Sequence, residues 1–269
     1  MIEVLKSRLT QNMSNEDKLN RAREFLQILA LKIIYDKGGF GNLAFVGGTA
    51  LRVIFDLRRF SEDLDFSLVE KKGYNFSHLN SELIREFKLN GFNAESSPKM
   101  DKTVHSAFLK FSGFLKEIGL SALESQKFSI KLEVDTNPPK GGAIVSSLIN
   151  KLYTLNITHF DLPSMFATKL HACFYRKYLK GRDFYDFIWY LSKRIKPNYL
   201  LLNNAIQQTQ GENPHIDEHN IKAFLLQNTA KVDFKLAQKD VERFLEDKSE
   251  LRLFDLKAIE NTINSVYGE

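Results

Sequence analysis

Phe45-Val-Gly-Gly-Thr-Ala-Leu-Arg52, followed by Arg59-Phe-Ser-Glu-Asp-Leu-Asp-Phe-Ser-Leu68, is the stretch on which the fold of this chain turns. The apolar run Leu43 to Val46 has the character of a buried strand, and Gly47-Gly48 break it. Thr49-Ala-Leu-Arg-Val-Ile-Phe55 then has the composition of a helix. A strand–glycine–helix turn aims backbone N–H groups and the positive end of a helix at one spot, which suits a phosphate. After a second turn the residues alternate: Ser61, Asp63, Asp65 and Ser67 fall on one side, Leu64, Phe66 and Leu68 on the other. In a strand of period two both aspartates therefore face the same way.

Two carboxylates side by side repel when ionised, and a hard divalent ion with substrate phosphate oxygens is one thing that offsets this. Taken alone, Asp-x-Asp is more often the wet face of an edge strand. The glycine turn upstream changes that balance, because the 13 residues between Thr49 and Asp63 suffice for a short helix that returns the chain to a neighbouring strand. Gly47-Gly-Thr49 followed by Asp63-Leu-Asp65 resembles the signature of the polymerase-beta-like nucleotidyltransferase superfamily. The fuller string, Gly-Gly-Thr-Ala-Leu with Arg-Phe-Ser-Glu-Asp-Leu-Asp-Phe, is similar to its AbiEii branch, the toxins of type IV toxin–antitoxin systems. The similarity runs from about Ala44 to Tyr190.

Phe128-Ser-Ile-Lys-Leu-Glu-Val-Asp135 is a second alternating strand, with Ser129, Lys131, Glu133 and Asp135 on its polar side. An amphipathic strand accounts for the pattern unaided. The resemblance implies more: such a later strand supplies a third acid, Glu133 ahead of Asp135, with Lys131 balancing charge or touching phosphate. Asp161-Leu-Pro-Ser then opens a helix expected over about 163–179, with Lys169, Arg176 and Lys180 in a cationic row. A solvated face is the ordinary meaning of such a row. The segment Met165-Phe-Ala-Thr-Lys-Leu-His-Ala172 resembles the family segment whose lysine serves the triphosphate, which implies that role for Lys169. Arg182-Asp-Phe-Tyr-Asp-Phe187 resembles the segment contributing one needed aspartate; spacing leaves Asp183 and Asp186 both open, and either suits a helix's first turn.

From the resemblance, Asp63, Asp65 and Glu133, with Asp135 close by, are expected to hold two Mg²⁺ ions. Gly47, Gly48, Thr49 and Ser61 would seat a nucleoside triphosphate, and Arg59 and Lys169 would balance its charge. The implied reaction moves a nucleoside monophosphate to a hydroxyl, with the tRNA 3′ end as acceptor, translation as the process halted, and a separately encoded antitoxin as partner. Transfer to a small molecule or a protein hydroxyl, or a binding protein that keeps the fold without catalysis, are the competing readings. Alanine at Asp63, Asp65 or Lys169 is expected to abolish transfer with little effect on folding.

The 269 residues allow one large or two modest domains, with apolar (43%) and charged (26%) contents ordinary for a soluble globular chain. A net charge of +5 permits a nucleic-acid partner without requiring one. One cysteine, Cys173, excludes an internal disulfide and suits a reducing, cytoplasmic setting. No apolar stretch reaches membrane-spanning length, and no signal-peptide core is evident near the N-terminus. The first 160 residues are expected to form an α/β nucleotidyltransferase domain, a mixed sheet flanked by helices, and residues 161–269 a helical domain that completes a cleft. A monomer is expected. His215 and His219, four apart, could share a helix face but have no further ligands in sight.

Overall fold

The computed structural model describes residues 1–268, which fall into two compact units. The first comprises residues 1–56, 60–138 and 145–159. Its elements in chain order are α1 (Ile2–Lys6), α2 (Asn15–Asp36), β1 (Leu43–Val46), α3 (Gly47–Phe55), β2 (Leu64–Leu68) and α4 (Phe76–Leu89). There follow β3 (Ala94–Glu95), β4 (Pro98–Met100), β5 (Val104–Phe111), α5 (Phe114–Glu117), β6 (Phe128–Asp135), β7 (Ile144–Asn150) and β8 (Thr154–Phe160).

The strands form one mixed sheet, eight strands among the described residues, in the order β3-β5-β6-β2-β1-β8-β7, with β4 also on β5. The α/β class expected from the sequence is thus present. β1 and β2 are antiparallel, as a short α3 return allows, whereas β2 and β6 are parallel. A parallel neighbour needs a crossover, here the stretch carrying α4, β3, β4 and β5. The centre of the sheet is apolar on one face: Leu64 and Phe66 of β2 and Leu132 and Val134 of β6 are all at most 1% exposed.

Helix α2 supplies much of the remaining core. Ser14 caps it by accepting from the Asp17 N–H at 3.1 Å, with Glu16 and Asp17 in its first turn. At the other end of the unit, rings from α4, β5, α5 and β6 interlock. Phe87 meets Phe111 edge-on at 4.9 Å between centroids, and Phe114 lies 5.3 Å from Phe128.

Pro98 lies in the edge strand β4, where Glu95↔Lys110 and Pro98↔Ala107 continue one register along β5; a proline is tolerated at an edge. The stretch after Gly141 carries the strand β7.

The second unit comprises residues 57–59, 139–144 and 160–269. Its helices are α6 (Leu162–Tyr175), α7 (Gly181–Ser192), α8 (Tyr199–Gln210), α9 (Ile221–Thr229), α10 (Phe234–Val241) and α11 (Leu256–Tyr267). Asp161 caps α6 through the Ser164 N–H, and Asn198, Asp233 and Asp255 cap α8, α10 and α11 in the same manner. The two outlying segments belong here for polar reasons. Asn198 and Asn204 donate to the carbonyls of Gly141 and Lys140, each at 2.8 Å, and Arg59 is ion-paired to α7. Helix α6 stops at Tyr175, four residues short of the expected end, since Arg176 turns extended (ψ 140) and bonds Asp183. Lys180 therefore leaves the predicted cationic row. His215 and His219 do not share a helix either. Asp217 accepts from the N–H groups of His219 and Asn220, and this local bonding displaces the helix to Ile221.

α7 and α10 approach closely at Gly181, where a Cβ would come 1.9 Å from the Ala237 carbonyl oxygen. Gly181→Ala should therefore force the helices apart and cost about 1–3 kcal/mol. A drop of several degrees in Tm by calorimetry is the expected result, and an unchanged Tm would contradict this packing.

Candidate active site

The β1–α3 turn follows from its glycines. Gly47 has φ +79, a left-handed conformation that L side chains rarely adopt. A Cβ there would also lie 2.6 Å from the Asp65 carboxylate oxygen. Asp65 stands in register with Val46, so the turn and the acid are held side by side by sheet pairing. No side chain caps α3, and its first turn is Gly47, Gly48 and Thr49. Such amides are available to an anion. The Thr49 side chain is fully buried, and its hydroxyl donates to the Asp63 carbonyl, fixing the backbone that carries the first aspartate. The Ser61 carbonyl accepts from Gln27 at 3.1 Å, which ties the lead-in to α2.

Parallel pairing of β2 with β6 places Asp65 opposite Glu133 and Ser67 opposite Asp135. Alternation puts these four on the sheet face opposite Leu64, Phe66, Leu132 and Val134. Asp63 has the same parity and immediately precedes β2. Glu133, not Asp135, is thus the direct neighbour of Asp65. Lys131 Nζ lies 2.8 Å from Glu133, with both side chains about a third exposed (33% and 30%), so the lysine offsets repulsion in the acidic pair. Asp135 turns to the strand end, where it accepts from the Asn137 N–H at 2.9 Å; burial pushes its pKa up against that bond.

Among the described residues, no group of three or more His, Cys, Asp or Glu could hold a metal ion, so the expected set of Asp63, Asp65, Glu133 and Asp135 does not form a ready-made cluster. The donor set nevertheless fits Mg²⁺, which is commonly bound by one or two carboxylates plus substrate phosphates and retained waters.

In the second unit the expected charged residues form a buried network. Arg59 grips Asp186 bidentately, at 2.6 Å from Nε and 2.5 Å from a terminal nitrogen, with side chains 2% and 0% exposed. Lys169 Nζ reaches Asp183 at 2.7 Å and Asp186 at 2.8 Å. Arg176 closes the other side of Asp183. Three cations thus face two carboxylates, leaving one positive charge over. Burial alone would lower the Lys169 pKa, yet attraction to Asp183 and Asp186 outweighs it and raises the value. For Asp183 burial acts upward, and Lys169 and Arg176 pull its pKa below the usual carboxylate range. Both aspartates that spacing left open therefore hold Lys169, and Asp186 holds Arg59 as well.

That arrangement corrects two expectations. Arg59 is engaged with Asp186 in the interior, so its positive charge is already committed. Lys169 is a member of a buried network, so its removal cannot leave folding untouched. The Arg59–Asp186 pair links positions 127 residues apart, and no local pattern announces it.

The model of the family described as nucleotidyl transferase AbiEii toxin, type IV toxin–antitoxin system, matches residues 29–261. The chain belongs to that family. It is accordingly a nucleotidyltransferase of the toxin type. Two solved structures from Helicobacter pylori share its fold. JHP933 is 17% identical, with 93% of this chain and 90% of that one covered and a TM-score of 0.52. A provisionally assigned nucleotidyltransferase is 18% identical, with 97% and 96% covered and a TM-score of 0.51. No curated protein matches the chain. No helix among the described residues is long and apolar enough to cross a membrane.

Two measurements check this geometry. Gly47→Ala should remain folded but lose most nucleotidyl transfer, because the new methyl must displace the Asp65 carboxylate; near-normal turnover would contradict the close approach. The network sets a pH window. Asp183, with its lowered pKa, contributes stability above the unfolded value of about 4 and loses it as pH falls through its folded value. Lys169, with its raised pKa, contributes below about 10.4 and loses it as pH climbs past its folded value. Melting temperature should thus be level from about pH 5 to 10 as far as these groups are concerned. Asp183→Asn should lower it by the equivalent of about 3–5 kcal/mol and flatten the acid limb. An acid limb of unchanged slope in that variant would contradict the assignment.

Proposed function

We propose that this nucleotidyltransferase moves a nucleoside monophosphate from a nucleoside triphosphate to an RNA hydroxyl, the tRNA 3′ end, with the hydroxyl oxygen bonding the α-phosphorus, its proton lost and pyrophosphate leaving, and thereby stops translation. The observation that carries the chemistry is the packing of Gly47 against Asp65, with Glu133 in register on the next strand. The tRNA acceptor rests on the resemblance to AbiEii toxins, and the basic balance of the chain is compatible with it. An antitoxin partner follows from membership of a type IV toxin–antitoxin family; a cytoplasmic setting is part of the same proposal.

The residues divide the work. Backbone N–H groups of Gly47, Gly48 and Thr49 receive triphosphate oxygens, aided by the positive end of α3. Asp65 and Glu133, with Asp63 before them and Asp135 two residues beyond Glu133, are the residues that would hold Mg²⁺. When bound, Mg²⁺ supplies charge neutralisation on the triphosphate and acidifies the attacking hydroxyl. Lys131, paired with Glu133 at 2.8 Å, offsets repulsion between the acids and is the cation nearest them on that strand. Within the second unit Lys169 is held by Asp183 and Asp186, and Arg59 by Asp186. Reaction by positioning and electrostatics requires no histidine or cysteine nucleophile.

The test is incubation with each labelled triphosphate, total RNA and Mg²⁺, followed by mass spectrometry of the labelled species. Label should enter tRNA at its 3′ end and vanish with EDTA. Label on a protein or a small molecule instead would replace the acceptor while retaining the chemistry. Asp65→Asn and Glu133→Gln should each cut labelling at least about a hundredfold, a loss within the range for catalytic electrostatics. Their melting temperatures should stay near wild type, since both side chains lie on the part-exposed face.

A further inference from the structure

Arg176-Lys-Tyr-Leu-Lys-Gly-Arg182 joins α6 to α7 and holds four cations in seven residues with no acid. A net charge of +4 there compares with +5 for the whole chain. Both stems of the loop are anchored. Arg176 is committed to Asp183, and the Arg182 guanidinium lies 4.3 Å from the centre of the Phe244 ring. Gly181 donates its N–H to Asp240 at 2.7 Å and admits no side chain against α10. The tip is different. Lys177, Tyr178 and Lys180 are exposed, and neither lysine has an acidic partner among the described residues. Tyr178 is 69% exposed, with the Lys177 ammonium 5.5 Å from its ring centre.

Water alone gives no reason to hold an aromatic ring between unpaired cations on a braced loop. Single-stranded nucleic acid does: bases stack on such rings, and flanking lysines take the phosphates. An acidic protein would use the lysines but has no need of the ring. We propose that the α6–α7 loop is an RNA-binding element, in which Tyr178 stacks on an unpaired base and Lys177 and Lys180 contact the adjoining phosphates. The proposal deepens the acceptor reading given above and rests on it for the identity of the RNA.

The experiment measures binding of a fluorescent deacylated tRNA by anisotropy across a salt series, alongside nucleotide labelling of that tRNA. Tyr178→Ala should weaken binding about five- to a hundredfold, the range for loss of one stacked base, while Tyr178→Phe should bind as wild type. Lys177→Gln with Lys180→Gln should make the slope of log affinity against log salt shallower by roughly 1 to 2. The exchanges lie at three exposed positions, so unchanged melting curves confirm that folding is not the cause. Heparin serves as a polyanion without bases, and its binding should respond to the lysine exchanges but not to Tyr178→Ala.

Equal tRNA affinity for wild type and Tyr178→Ala overturns the proposal, as does the absence of tRNA binding by wild type. If wild type labels tRNA and the variants label it equally well, the loop assignment fails and the acceptor reading stands. If the variants lose tRNA binding but wild type transfers nucleotide to some other hydroxyl, the acceptor reading fails and the loop assignment stands.

Discussion

The approach of the Gly47 backbone to the Asp65 carboxylate is the constraint on which the first unit's candidate site depends. It requires a residue without a side chain, a positive φ, and a β1–β2 register that sets Val46 beside Asp65. Each requirement is met by a different level of the structure: residue type, turn geometry and sheet pairing. If any one fails, the first turn of α3 and the Asp65 carboxylate are no longer held side by side. The sheet then adds Glu133 through β6, so the cluster is drawn from strands that are far apart in sequence but adjacent in space.

Repulsion between neighbouring carboxylates explains the company they keep. Glu133 has Lys131 two residues before it on the same strand face, and Asp135 is drawn aside to the Asn137 amide. Asp65 and Glu133 are thus part-exposed oxygen donors set side by side on β2 and β6.

The second unit handles charge in the opposite manner. Arg59, Lys169, Asp183 and Asp186 are almost wholly removed from water, where an unmatched charge would cost several kcal/mol. Mutual pairing keeps Lys169 and Asp183 charged in the interior, and the pKa directions of these two groups express that pairing. Positioning and stability are therefore inseparable for Lys169, whereas the acids on the part-exposed face of β2 and β6 are candidates for function with little structural role.

The sequence by itself determined the α/β class, the glycine turn, the amphipathic strand that became β6, and the family. All of these are local: periodicity, turn chemistry and a contiguous motif record them within some 20 residues. It could not separate Glu133 from Asp135 or Asp183 from Asp186, nor see that Arg59 is spent on Asp186. Those outcomes depend on strand register and on contacts across more than a hundred residues, where spacing along the chain carries no distance information. The early end of α6 and the loss of a helix at His215–His219 are local instead: Arg176 pairs with Asp183 seven residues on, and the Asp217 carboxylate accepts from the His219 and Asn220 N–H groups. Local pattern chose the elements; long-range pairing of charges and strands decided which residues meet.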